Sequence, residues 1–328
     1  MSESEQKKTA VQILAVGAES DGQRIDNFLI GHLKGVPRSY IYRIIRRGEV
    51  RVNKGRKSAS YRVRQGDLVR VPPVRQGERE VPGQPSRQLL ERVRAAVVQR
   101  DDRVLVLNKP SGLAVHGGSG INLGVIEVVR ALYPQERQLE LVHRLDRDTS
   151  GILLISRRRS ALRSLHQLIR ENRMEKRYLA LVAGSWSADR LEVDQPLLKN
   201  TLQGGERVVK VDSRGKSALT RFRVLKRYED CMLVEAELIT GRTHQIRVHA
   251  AYLGTPILGD CKYGDDEANR RMRELGLKRL FLHAESIAFS WPQEIGGGMF
   301  QVSAPLDHEL NQTLERLQQG IRSEVVHT

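Results

Sequence analysis

At 328 residues the chain can hold one large domain and a small one, and its 39% hydrophobic content, spread over short periodic segments, excludes a disordered tail. No apolar run approaches the roughly 18 residues of a membrane span, and the two cysteines, Cys231 and Cys261, lie too far apart for a Cys-x-x-Cys zinc site or a disulfide framework. The net charge of +16 points instead to a polyanionic partner.

Met1 to Ala10 is polar, carries both charge signs and lacks an apolar centre, so no secretory signal is expected and the protein is placed in the cytoplasm. Residues 1–20 read as a flexible N-terminus. Residues 21–75 read as a small α+β module. Ile25, Phe28, Leu29 and Leu33 recur at helical spacing, and after Pro37 a second helix turns Tyr40, Ile41, Ile44 and Ile45 inward. Gly48 suits the left-handed residue that closes this helix. Val50 and Val52 alternate as a strand, Asn53-Lys54-Gly55 makes a turn, and Val63 and Leu68 to Val71 supply further strands.

Charge is concentrated in the same module. Between Arg38 and Arg75 there are twelve Arg or Lys against two acids, Glu49 and Asp67. Arg43, Arg46, Arg47, Arg51 and Lys54 are the candidate RNA contacts, since a basic face of this density attracts a phosphate backbone and releases its counterions.

Pro72, Pro73, Pro82, Gly83 and Pro85 mark a linker over 76–96. A second domain is expected over 97–320 and a tail over 321–328. Val104 to Leu107, Arg177 to Val182, Thr220 to Leu225 and Met232 to Leu238 read as strands; Leu123 to Tyr133 and Ser160 to Asn172 read as amphipathic helices, the second burying Leu162, Leu165, Leu168 and Ile169. Strands outnumber helices without regular βαβ alternation, so the class is α+β with a mixed, largely antiparallel sheet. The charged stretch Asp265 to Lys278 matches no recognisable element.

Four segments of the second domain carry chemistry. In His143-Arg144-Leu145-Asp146-Arg147-Asp148-Thr149-Ser150-Gly151 a carboxylate stands between two arginines ahead of the apolar run Ile152 to Ile155. Flanking guanidiniums favour the charged form of a carboxylate, which suits a nucleophile, while a plain Asp-x-Asp-x-Ser turn is the competing reading. The others are Leu107-Asn108-Lys109-Pro110-Ser111-Gly112 with His116 beyond it, Lys176-Arg177-Tyr178-Leu179-Ala180 at the start of a strand, and the donor-rich Thr240-Gly241-Arg242-Thr243-His244-Gln245-Ile246-Arg247-Val248-His249. The nine histidines show no metal-ligand spacing, and no metal or cofactor is expected.

Gly22 to Asp26 and Arg46 to Asn53 resemble the S4 module of RNA-modifying and ribosome-associated proteins, which implies binding to structured RNA. The four segments of the second domain, across about 97–305, resemble the pseudouridine synthases of the RluA type, which isomerise uridine within RNA. That resemblance implies a pseudouridine synthase fold and no cofactor. It also implies that Asp146 is the catalytic aspartate, as nucleophile or as an aid to elimination, that Arg247 pairs with it, and that Tyr178 stacks on the target uracil. Arg144 is then a candidate for filling the space left by a flipped nucleotide, while Lys109, His116 and His143 are structural or phosphate contacts. With the S4 module in front, the implied substrate is several uridines of 23S ribosomal RNA, naked or in a ribosome assembly intermediate. A non-catalytic RNA-binding or assembly factor and an N-glycosidic hydrolase are the competing readings.

Overall fold

The computed structural model describes residues 10–325 apart from 34, 35, 37, 75–83, 118–122 and 202–206. Its contacts divide into two units, Met1–Gly83 and Gln84–Thr328.

In the first unit, helices α1 (Ile25–His32) and α2 (Arg38–Arg46) turn Ile25, Phe28, Leu29, Ile41, Ile44 and Ile45 into one core. The core is closed by a three-stranded antiparallel sheet in the order β1 (Gln12–Ala15), β3 (Leu68–Val71), β2 (Arg51–Val52). Alternating burial along β3 sends Val69 and Val71 inward, as a period of two requires. Gly48, at φ 70°, ends α2 by donating its N–H to the Ile45 carbonyl. Asn53 and Lys54, both at positive φ, form the turn after β2, and the Asn53 amide latches it to Asp67 and to the Leu68 N–H.

Two expectations for this unit are corrected. Residues 12–15 of the supposed flexible N-terminus form the edge strand β1, with Val16 buried behind it. Its partner lies more than fifty residues downstream, out of reach of local periodicity. Val63 is buried but is not in a strand; it bonds Gln23 and Gly22 across the module.

The second unit is built on a ten-stranded sheet. Its main path runs β4 (Val97–Arg100), β5 (Val104–Lys109), β7 (Ser150–Ser156), β14 (Leu282–Ser290), β8 (Glu175–Ala183), β13 (Cys231–Leu238), β12 (Leu219–Arg227), β9 (Arg190–Asp194). The short β6 (Glu140–Leu141) joins β7, and β15 (Met299–Ser303) joins β14. All pairs are antiparallel except β7 with β14, so the sheet is mixed and largely antiparallel. A separate hairpin is formed by β10 (Leu197–Thr201) and β11 (Arg207–Val211).

Helices α4 (Val125–Leu132) and α5 (Arg159–Arg170) pack by their apolar stripes; Leu165 and Leu168 of α5 are buried and Leu162 and Ile169 partly so. Helix α6 (Gln245–Tyr252) follows β13, α7 (Asp266–Glu274) precedes β14, and α8 (His308–Val325) ends the described chain.

The described part of the linker expected over 76–96 is mostly helix. Residues 76–83 lie outside the described residues, but α3 (Arg87–Ala95) is capped by the Ser86 hydroxyl on the Leu89 N–H and packs on α4 through buried Val93. Prolines and charges masked the Leu89, Leu90, Val93 spacing. The tail expected over 321–328 continues α8 as far as Val325. The unassigned stretch from Asp265 contains α7, whose charged exterior hides buried Ala268, Asn269 and Met272.

The one parallel junction depends on Gly151, at φ 107°. A Cβ there would stand 2.2 Å from the Ala284 carbonyl oxygen. Gly151→Ala therefore combines a disallowed conformation with a backbone clash, and should lower stability by about 2 kcal/mol or more, read as a fall in urea midpoint. An unchanged midpoint would show that β7 and β14 separate at no cost.

Candidate active site and basic surface

The C-terminal part of the His143 to Gly151 segment is fixed from below. Lys109, fully buried at the end of β5, donates its ammonium protons to the carbonyls of Pro110 (3.0 Å), Leu113 (2.8 Å) and Arg147 (2.9 Å). The Ser111 hydroxyl donates to the Asp148 carbonyl at 2.7 Å. Burial pulls the Lys109 amine down to about 7, and carbonyl dipoles take the place of solvent around it. Two segments separated by nearly forty residues are thereby stapled, and the loop carrying Asp146 is held between β6 and β7.

Asp146 faces a cavity of about 650 Å³, with its side chain 25% exposed. Neither of the arginines that flank it in sequence pairs with it. Arg147 pairs with Asp148 at 3.0 Å, and Arg144 is exposed on the cavity edge without an ion pair among the described residues. The cation that reaches Asp146 is Arg247 of α6, Nη1 to Oδ2 at 3.3 Å, and the imidazole of His244 stands 3.8 Å from the same oxygen.

Nor is Arg247 devoted to Asp146. Its planar fork is taken by Asp260, Nε to Oδ2 at 2.7 Å and Nη2 to Oδ1 at 2.8 Å, which leaves only Nη1 for Asp146. Asp260 has no exposed side-chain surface and also accepts the N–H groups of Lys262 and Tyr263. Burial opposes the charge on both partners, but their mutual hydrogen bonds and attraction more than offset it. Arg247 is held above its ordinary value and Asp260 below. Asn269 of α7 completes the support, accepting from the Gly259 N–H at 2.6 Å and donating to the Asp260 carbonyl at 3.1 Å.

Tyr178 lies on β8 between Ala236 and Ala284 of the neighbouring strands, small residues that leave room for its ring at the cavity wall. The ring is 7% exposed, and burial, aided by the charge of Asp146, raises its hydroxyl well above the usual tyrosine range. Lys176, two residues earlier on the same face, also lines the cavity, and burial lowers its amine. Burial, with Lys176 nearby, pushes His143 down to about 4; its Nε2 accepts the Leu154 N–H, as a neutral ring can.

Asp146, Tyr178, Arg247 and Arg144 thus converge on one cavity, and His116 and His143 line it too, whereas Lys109 lies beneath. Sequence reasoning missed Asp260, Tyr263 and Asn269. The readable signal was Gly259-Asp260 followed by Gly264: a Cβ on Gly259 would strike the Arg279 carbonyl, and one on Gly264 the Asp260 carbonyl, so the aspartate is clamped in a tight turn. His249, five residues after His244, points elsewhere, to Thr220 and the Gln195 carbonyl.

On the first unit, Arg43, Arg46, Arg47 and Lys54 are exposed and Arg51 is half-buried. Arg43 stacks over the Tyr40 ring at 4.5 Å, and Arg47 stands 3.9 Å from Glu49. The helix packs by its isoleucines and presents guanidiniums outward.

Asp260→Ala strands the buried Arg247 cation and should cost about 3–5 kcal/mol in urea unfolding. Because the folded Asp260 carboxyl lies below its ordinary 3.8, the contribution of the pair is complete above that pH and lost as pH falls through the lower folded value. The stability gap between wild type and Asp260→Asn should be widest near neutrality and narrow below pH 3.8. A pH-independent gap would assign the loss to packing.

Residues 103–252 match the RNA pseudouridylate synthase family, and residues 23–69 match the S4 domain. The ribosomal large subunit pseudouridine synthase C of Salmonella typhi is 54% identical over 94% of this chain and 97% of its own length. The Escherichia coli (strain K12) protein of the same name is 53% identical over the same shares. Among solved structures, human RNA pseudouridylate synthase domain containing 4 superposes with a TM-score of 0.59 at 26% identity, covering 70% of this chain and 96% of the human one. With relatives more than half identical across almost its whole length, the chain belongs to the RNA pseudouridylate synthase family.

Proposed function

We propose that the protein converts uridine to pseudouridine at sites in the large-subunit (23S) ribosomal RNA, with Asp146 as the group that acts on the ribose. The observation that carries this reading is the mostly buried Asp146 carboxylate, held by Arg247 at 3.3 Å and facing a cavity walled by Tyr178, in a chain of this family. A space of about 650 Å³ accepts a single flipped nucleotide.

The reaction exchanges the bond from ribose C1′ to uracil N1 for one to C5, with the C5 proton released and a proton taken up at N1, so no electrons or water are consumed. Direct attack at C1′ and assisted elimination both place the Asp146 carboxylate against the sugar. Arg247, itself fixed by Asp260, aims that carboxylate. The Tyr178 ring offers a face for the uracil, and its raised hydroxyl keeps its proton throughout the neutral range. Extruding the nucleotide costs about a few kcal/mol, and Arg144 at the rim fills the vacated stack. The arginines of α2 supply affinity through phosphates. The substrate is ribosomal RNA before or during subunit assembly, when the target bases are open to an enzyme, and the site of action is the cytoplasm.

Asp146→Asn should lower tritium release from RNA labelled at uracil C5 by more than about 10³-fold, the scale of a lost nucleophile, with RNA affinity nearly unchanged. A variant with wild-type release would leave only the RNA-binding reading.

Reversing Arg46 and Arg47 to glutamate should weaken RNA binding and reduce the dependence of log Kd on log salt by about 1.5, as two lost phosphate contacts require. Titrations at several salt concentrations measure this; an unchanged slope would remove α2 from the RNA contact.

A further inference from the structure

The loop from Thr240 to Gln245 contains one group that the mechanism above leaves unused. His244, the N-cap of α6, sits in the left-handed region at φ 56° and ψ 21°, a conformation that costs a non-glycine residue energy and is characteristic of functional sites. The loop is held there by Gln245, whose amide accepts from Thr240 and the Arg242 N–H and donates to Leu219 and Thr220. The strain turns the imidazole into the cavity beside Asp146.

Its hydrogen bonds bear on which nitrogen carries the proton. The Tyr263 oxygen accepts the Val209 N–H at 3.0 Å and lies 2.7 Å from His244 Nδ1. Among the described residues Nδ1 is the one acceptor within reach of the phenol proton, so we assign that proton to Nδ1 and the imidazole hydrogen to Nε2. Burial lowers the His244 pKa, with Arg247 and Lys262 reinforcing and Asp146 and Asp260 opposing, so the ring is neutral at physiological pH. A neutral imidazole on the cavity wall, its Nε2 3.8 Å from Asp146, is a hydrogen-bond donor for developing negative charge.

We propose that His244 donates its Nε2–H to a carbonyl oxygen of the uracil as the base departs from C1′, stabilising the negative charge that the broken bond leaves on the ring. The bond to C1′ breaks with its electron pair moving onto N1 and, by conjugation, onto the ring carbonyls; the imidazole transfers no proton and holds the anion while it turns to present C5. Tyr263 is the positioning residue that sets the tautomer. This rests on the isomerase reading, which Asp146→Asn tests separately.

His244→Gly is the suitable variant, since glycine is at ease at positive φ and is accepted at an N-cap. Single-turnover rates are compared for wild type and variant on short RNAs carrying uridine, 2-thiouridine or 4-thiouridine at the target, sulfur being a weak acceptor. The variant should be slower on uridine by about 10²-fold, and thio substitution at the contacted carbonyl should slow the wild type but scarcely affect the variant. Equal thio effects in the two proteins, or an undiminished rate of the variant on uridine, would overturn the role of His244 and leave the isomerase assignment standing.

Discussion

The site rests on a buried ion pair. Asp260 grips Arg247 with two hydrogen bonds through Nε and Nη2, and Nη1 is the corner that reaches Asp146. A free guanidinium next to this carboxylate would sample many geometries and form a bidentate pair that covers both oxygens. With two of its corners occupied, the cation can offer only a single lateral contact, so Asp146 keeps a direction without being neutralised on its reactive side. A buried pair of this kind contributes little net stability compared with apolar packing, and its value lies in geometry.

The remaining architecture serves that geometry from different parts of the chain. The Asp146 loop is tied down by Lys109 on β5, Asp260 is braced by Asn269 on α7, and the close approach of β7 to β14 at Gly151 sets where the loop leaves the sheet. Tyr178 comes from β8 and Arg247 and His244 from the start of α6. A sheet with one parallel junction inside an antiparallel frame brings these ends together, and the cavity between them is polar where the carboxylate sits and aromatic where a base would lie.

Much of this was legible in the sequence because it is local. The helices and hairpin turn of the first unit follow from apolar spacing and from Gly48 and Asn53, and the segments bearing Asp146, Tyr178 and Arg247 are dense enough to identify a family. What escaped depends on long-range contact. Neither arginine that flanks Asp146 in sequence pairs with it, Arg147 going to Asp148 and Arg144 standing at the cavity edge, while the pairing of Arg247, a hundred residues downstream, was legible only through the family resemblance. Asp260 looks like an ordinary turn residue until its partner is placed, and α7 looks like a charged loop because only three of its nine residues are buried. Strand β1 and helix α3 were hidden by polar and proline-rich surroundings, since their apolar residues are few and their partners distant.

The claim that this site modifies large-subunit ribosomal RNA is tested most directly by mapping pseudouridines in ribosomal RNA from cells lacking the protein. Specific positions of 23S ribosomal RNA should carry unmodified uridine, and expression of the intact protein should restore them, with small-subunit positions untouched throughout. A full set of pseudouridines in the deletion strain would contradict the account.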